Sequence, residues 1–195
     1  YGLVIEGRLE AEGTSPQQRD CRLRSLGRDG AHGITMSFDG RQLNPKESYG
    51  FIRNCDFGEC ETTLSRGGIE VTGSLLTRCS VDVKWMLDCP LTFTGNELVA
   101  CMLKLYDIRN QTLERNVVKG GRLFLHPHQP QGRMRFADNI VERGDNRTVW
   151  VISLPEDNVF SANVYRDCSA TAFYIQNSAV PVLLRGDQFG GNSVG

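Results

Sequence analysis

Apolar residues in this chain fall in short alternating runs that return about every 22 residues. Residues 69–83 read IEVTGSLLTRCSVDV and residues 91–105 read LTFTGNELVACMLKL, the same alternation around the same glycine. With the residue at that turn as origin, copies begin at Ser74, Asn96, Asn116, Asn139, Asn163 and Asn192, at intervals of 22, 20, 23, 24 and 29. Three places before the origins stand Val71, Phe93, Leu113, Phe136, Phe160 and Phe189; two places after stand Leu76, Leu98, Val118, Val141, Tyr165 and Val194. Five places after come Cys79, Cys101, Gly121 and Cys168, and a degenerate copy around Gly50 adds Ile52 and Cys55. The alternation then runs on through Val81 and Val83, Leu103 and Leu105, Leu123 and Leu125, and Ala170 and Ala172. The Asn139 copy slips over 142–147 and resumes at Val149 and Val151.

A repeat of this length cannot bury both of its faces, so the core must come from stacking one repeat on the next. Alternation with period 2 on both sides of a turn predicts strands whose apolar side chains point inward and meet at a bend. Asparagine tolerates left-handed backbone angles and, stacked at the strand spacing, hydrogen-bonds from rung to rung. Asn96, Asn116, Asn139 and Asn163 are therefore expected to form a buried ladder. Cys55, Cys79, Cys101 and Cys168 are expected in a second inward column, where a free thiol behaves as a small hydrophobe. The predicted fold is all-β, a parallel β-helix of roughly eight rungs, occupying residues 1–195 as a single domain.

This pattern resembles the right-handed parallel β-helix of the pectate-lyase-like superfamily. Residues 7–14, with Gly7, Leu9, Ala11, Gly13 and Thr14, are similar to an opening phrase of secreted bacterial β-helix proteins. Lyases of that superfamily use a calcium cluster of aspartates on one lateral sheet with an arginine base, and the related hydrolases use paired aspartates. The resemblance implies outward acids on adjacent rungs, for which Asp56 and Asp82 are the catalytic candidates, with Lys104 on the rung after Asp82. The local catalytic phrases of the family are missing. A non-catalytic extracellular or cell-surface module (stalk, adhesin, carbohydrate-binding or filament-forming scaffold) is thus the first expectation, and a polysaccharide lyase or glycoside hydrolase acting on an acidic polysaccharide is the alternative. No cofactor is expected, save calcium if the enzyme reading holds.

Composition narrows the partners. The net charge of −1 is unlike the strongly basic footprint of a nucleic-acid binder. No apolar run approaches the length of a membrane span, so no insertion is expected. Twenty-one glycines and a hydrophobic fraction of 39% fit a turn-rich β protein. The expected partners are a polysaccharide or neighbouring copies of the chain, and the expected location is secreted or the cell surface.

Other features carry less. The seven cysteines include Cys21, Cys60 and Cys89 off the expected column, and no C-x-x-C spacing marks a metal site. His126 and His128 sit in a proline-flanked loop with no third ligand nearby. The Arg185-Gly186-Asp187 triplet reads as a glycine turn, and Asn110 and Asn146 begin glycosylation-type triplets. The chain opens strand-like at Tyr1 and closes on what reads as the start of a further rung. An uncapped domain is expected, continuing into a longer solenoid or pairing end to end with copies of itself.

Overall fold

The computed structural model describes residues 3–6, 10–19, 21–24, 35–39, 49–59, 61–65, 68–84, 90–127, 132–145, 147–169 and 171–192. Cys60, Cys89, His128, Asn146, Ala170, Val194 and the segments 31–33 and 40–48 lie outside the described residues. The described part is an all-β parallel β-solenoid without a helix.

Three columns of parallel strands build it. Sheet 1 stacks Glu10–Glu12, Tyr49–Arg53, Gly68–Thr72, Pro90–Thr94, Asn110–Glu114, Arg133–Ala137, Asp157–Ser161 and Leu184–Arg185. Sheet 2 stacks Cys21–Arg24, Cys55–Gly58 and Leu75–Thr77, then the first residues of Glu97–Ile108 and Val117–Pro127, then Ile140–Glu142, Val164–Arg166 and Gln188–Gly190. Sheet 3 stacks Leu3–Glu6, Thr35–Asp39, Glu61–Ser65 and Ser80–Lys84, then the later parts of those two long strands, then Val149–Ile152 and Phe173–Gln176. The solenoid makes about six turns, close to the roughly eight rungs expected.

The core follows the alternation. Sheet 1 sends Ile52, Val71, Phe93, Leu113, Phe136 and Phe160 inward in one buried file. Sheet 2 contributes Phe57, Leu76, Leu98, Val118, Val141 and Tyr165, and sheet 3 contributes Leu64, Val83, Leu105, Leu125 and Val151. Beyond Val149 and Val151, sheet 3 continues through Phe173 and Ile175, and Ala172 is buried just ahead of that strand.

The corner between sheets 1 and 2 holds the expected ladder. Each backbone N–H donates to the side-chain oxygen of the next rung: Ser74 to Asn96, Asn96 to Asn116, Asn116 to Asn139, and Asn139 to Asn163, all at 3.0 Å. The amides add rung-to-rung bonds of 3.0 to 3.1 Å. They also donate back to carbonyls of the preceding rung, as Asn116 does to Phe93 at 2.8 Å. The left-handed residue is not the asparagine but the one before it, among them Gly95 (φ 65°), Arg115 (φ 54°) and Ala162 (φ 55°). The chain bends one residue early, which leaves the asparagine side chain free to turn inward.

Three expectations are corrected here. The next rung of the ladder is Asp187 and not Asn192. Asp187 Oδ1 accepts from Asn163 N at 3.0 Å and Asn163 Nδ2 at 2.7 Å, so Arg185-Gly186-Asp187 is the turn itself. Asn192 stands at the next corner, between sheets 2 and 3, where its Oδ1 accepts from Cys168 N and its Nδ2 donates to the Tyr165 carbonyl, both at 2.9 Å. Phe189 consequently aligns with Tyr165, stacked at 4.6 Å, and is 52% exposed on the last strand. Cys55 belongs to the ladder corner as well: it pairs with Cys21 in register and its N–H donates to Ser74 Oγ at 3.1 Å. Cys79 and Cys101 stay together at the other corner, where Cys79 N donates to Cys101 Sγ at 3.3 Å. Gly121 replaces cysteine on the next rung because the backbones close in: a Cβ there would stand 2.0 Å from the Cys101 carbonyl oxygen.

The ladder is testable at both its middle and its end. Removing the buried amide in Asn139→Ala orphans the Asn116 backbone N–H and should lower unfolding free energy by about 1 to 3 kcal/mol. Asp187 Oδ2 is buried with no partner among the described residues, at the position where the asparagines carry a donating amide. Asp187→Asn restores that donor, and denaturant titration should show it more stable by about 1 kcal/mol.

Candidate binding face

The outward positions of sheet 3 hold the richest chemistry. Because strands alternate, the residues between its inward positions form an outer file that runs Thr63, Asp82, Lys104, Phe124, Trp150, Tyr174 in continuous register. A second file beside it runs Lys84, Tyr106, His126. Four rings on successive rungs therefore stand together: Tyr106 and Phe124 at 5.1 Å, Phe124 and Trp150 at 5.1 Å edge-on, Trp150 and Tyr174 at 6.4 Å. Each is half-buried, with part of its surface open to solvent.

Cations frame this stripe at both ends. The Arg147 guanidinium lies 5.1 Å from the Trp150 ring centre and 4.5 Å from that of Tyr174, and Lys84 Nζ lies 5.8 Å from that of Tyr106. Cation–π contact holds these side chains against the rings. The Trp150 indole N–H is buried with no hydrogen-bond partner among the described residues.

The aspartates proposed from sequence do not come together. Asp82 lies on sheet 3, where its neighbours in register are Thr63 and Lys104. Its carboxylate is held by Lys104 at 3.2 Å and Lys84 at 3.3 Å. Asp56 lies on sheet 2, 8% exposed, in register with Arg22 and Leu75. One residue past Cys55 and three past Cys79 are places on different sheets, which is why the two acids part. Among the described residues no three His, Cys, Asp or Glu side chains group as a metal site. His126 stands on the aromatic face, beside Tyr106 in register.

The aromatic stripe was missed in the sequence because its members stand at different distances from the ladder. Tyr106 follows its ladder asparagine by ten residues and Phe124 by eight, whereas Trp150 and Tyr174 follow theirs by eleven. The extra length enters at 142–148, where Thr148 is fully buried and its hydroxyl donates to the Asp145 carbonyl at 2.6 Å. The resumption at Val149 and Val151 was the available signal, since it places Trp150 outward.

The thiols are core groups. Cys55, Cys79, Cys101 and Cys168 are buried thiols, and Cys21 is a partly exposed one. The Cys101 thiol is pushed up by its hydrogen bond with Cys79 and by burial; Cys55 is pushed up by burial and then by Cys21. Both lack the thiolate that reacts. No family model matches the chain, and a search of curated proteins returns no match.

Peptide-mapped alkylation under native conditions should therefore mark Cys21 well before Cys55, Cys79, Cys101 and Cys168, which should react together on unfolding. Early native labelling of any of those four would show that its corner opens.

Proposed function

We propose that this chain is a non-catalytic polysaccharide-binding module, secreted or displayed at the cell surface, built as a β-helix of the pectate-lyase-like kind. The aromatic stripe on the outer face of sheet 3 carries this reading. Sugar rings present apolar C–H faces that stack on aromatic rings, while their hydroxyls need polar partners at the rim. Tyr106, Phe124, Trp150 and Tyr174 supply the rings, and Asp82, Lys84, Lys104, His126 and Arg147 stand on or beside the same files as rim donors and acceptors. Rungs spaced by about 4.8 Å make the platform a straight track, suited to an extended chain and not to a compact small molecule. For a lyase or hydrolase, a second carboxylate beside Asp82 would support the chemistry, but its register neighbours are a threonine and a lysine.

Affinity electrophoresis and calorimetry against a panel of soluble neutral and acidic polysaccharides test this. At least one glycan should bind, and Trp150→Ala or Tyr174→Ala should weaken it by about tenfold, or about 1.4 kcal/mol. Both side chains point outward, so the ladder and the melting transition should be largely kept. Release of unsaturated or reducing sugar products would replace the binding reading with an enzymatic one, and absence of binding across the panel would end it.

A further inference from the structure

The first described rungs of sheet 2 bring together two thiols of unequal exposure. Cys21–Arg24 and Cys55–Gly58 pair in parallel, with Cys21 opposite Cys55. Register partners on adjacent parallel strands have Cα atoms about 4.8 Å apart, inside the span of about 4.4 to 6.8 Å that a disulfide bridges. Their Cβ atoms point the same way, so both sulfurs lie on one side. Cys55 is fully buried, whereas Cys21 packs against the core with part of its surface open to solvent. The Cys55 sulfur hydrogen-bonds with the Cys21 thiol and lies 3.2 Å from the Arg53 carbonyl oxygen.

The thiol pair at the other corner supplies the contrast. Cys79 and Cys101 also touch, but both are buried, and Cys101 Sγ lies against the Leu76 and Val99 carbonyls at 3.2 and 3.3 Å. An oxidant reaches them only when that corner opens. Cys21 is reachable as it stands, and its strand is held on one side: among the described residues Cys21–Arg24 pairs with Cys55–Gly58 alone. Cβ atoms in register stand about as far apart as the strands, whereas a relaxed disulfide sets them about 3.8 Å apart. An edge strand can close that gap of about 1 Å, and the slightly strained bond that results is of the kind readily reduced again.

We propose that Cys21 and Cys55 form a reversible disulfide site, with Cys21 as the attacking and Cys55 as the resolving thiol, whose oxidant is a low-molecular-weight disulfide. Cys21, its proton given up to water, attacks one sulfur of the oxidant; a mixed disulfide forms and the leaving thiolate takes a proton back. Cys55 then attacks the Cys21 sulfur. The bond between the two cysteines forms, the mixed disulfide breaks, and the Cys55 proton goes to the second leaving thiolate. Two thiols of the chain are oxidised while one external disulfide is reduced to two thiols. Burial keeps Cys55 protonated, which makes the second step the slower one. The bond tethers the edge strand to the rung beside it. The site lies on a different sheet from the aromatic stripe, so it stands whether or not the chain binds glycans.

The folded 195-residue chain, incubated with oxidised glutathione and quenched in acid, is digested and mapped without reduction. A peptide joining Cys21 to Cys55 should appear, preceded by glutathione on Cys21, and excess reduced glutathione should return both thiols. Amide exchange over Cys21–Arg24 should be slower by about tenfold or more in the oxidised chain, because the strand can no longer fray. Cys55→Ser should stop at the glutathione adduct of Cys21, and Cys21→Ser should leave Cys55 a thiol. Should either variant fail to fold, the wild-type map decides by itself. The proposal is overturned if Cys21 does not react or the wild type halts at the adduct, if Cys21 joins a different cysteine, or if Cys79 and Cys101 link first. It is equally overturned if the bond resists excess reduced glutathione, or if exchange over the strand is the same with and without it.

Discussion

Among the described residues, the corners between sheets 1 and 2 at Cys55, Ser74, Asn96, Asn116 and Asn139 each turn a main-chain N–H toward the buried inside of the solenoid. Such a donor left without a partner costs about 1 to 3 kcal/mol, and the cost would recur on each rung. Here the partner comes from the next rung: Asn96, Asn116, Asn139 and Asn163 each accept the N–H of the rung before. No rung is complete without its successor. The rest of the architecture depends on this, because it fixes the lateral register of adjacent rungs and with it every inward and outward file.

The second corner solves the same problem with other atoms. Cys101 Sγ accepts from Cys79 N, and Asn192 Oδ1 accepts from Cys168 N. Sulfur and amide oxygen are thus interchangeable there, which explains why the column mixes cysteine with asparagine. On the ladder corner the substitution runs the other way. Cys55 and Ser74 head a file of asparagines, and Asp187 continues it as far as one carboxylate oxygen allows. The common requirement is an acceptor that reaches back one rung.

That requirement also sets the limits of what the sequence discloses. The period, the apolar files and the four ladder asparagines are legible because inward positions accept few residue types, so Val71, Phe93, Leu113, Phe136 and Phe160 repeat as a chemical class. The turn position accepts several. Asp187 and Cys55 were therefore hidden from a search for asparagine, and Asn192 answered that search from the wrong corner. Outward positions repeat nothing at all. Asp82, Lys104, Phe124, Trp150 and Tyr174 share one file, but no common property marks them in the chain, and the insertion at 142–148 shifts the last two by three places.

The same freedom is what makes the outer faces the natural place for recognition. Packing fixes where an outward residue stands to within a strand spacing, about 4.8 Å along the stack, yet leaves its identity open. Sheet 3 uses that freedom for rings, and the adjacent residues of its files carry lysine, aspartate and histidine. Sheet 1 uses it for ion pairs, at Arg53 and Glu70, at Arg133 and Asp157, and at Arg135 and Glu114. A ligand that is long and repetitive can match either file rung by rung, because each rung adds a contact at the same interval. A ligand without that repeat meets one ring or one guanidinium at a time. Under the proposed glycan-binding reading, the geometry of the stack favours polymers before any particular side chain discriminates among them.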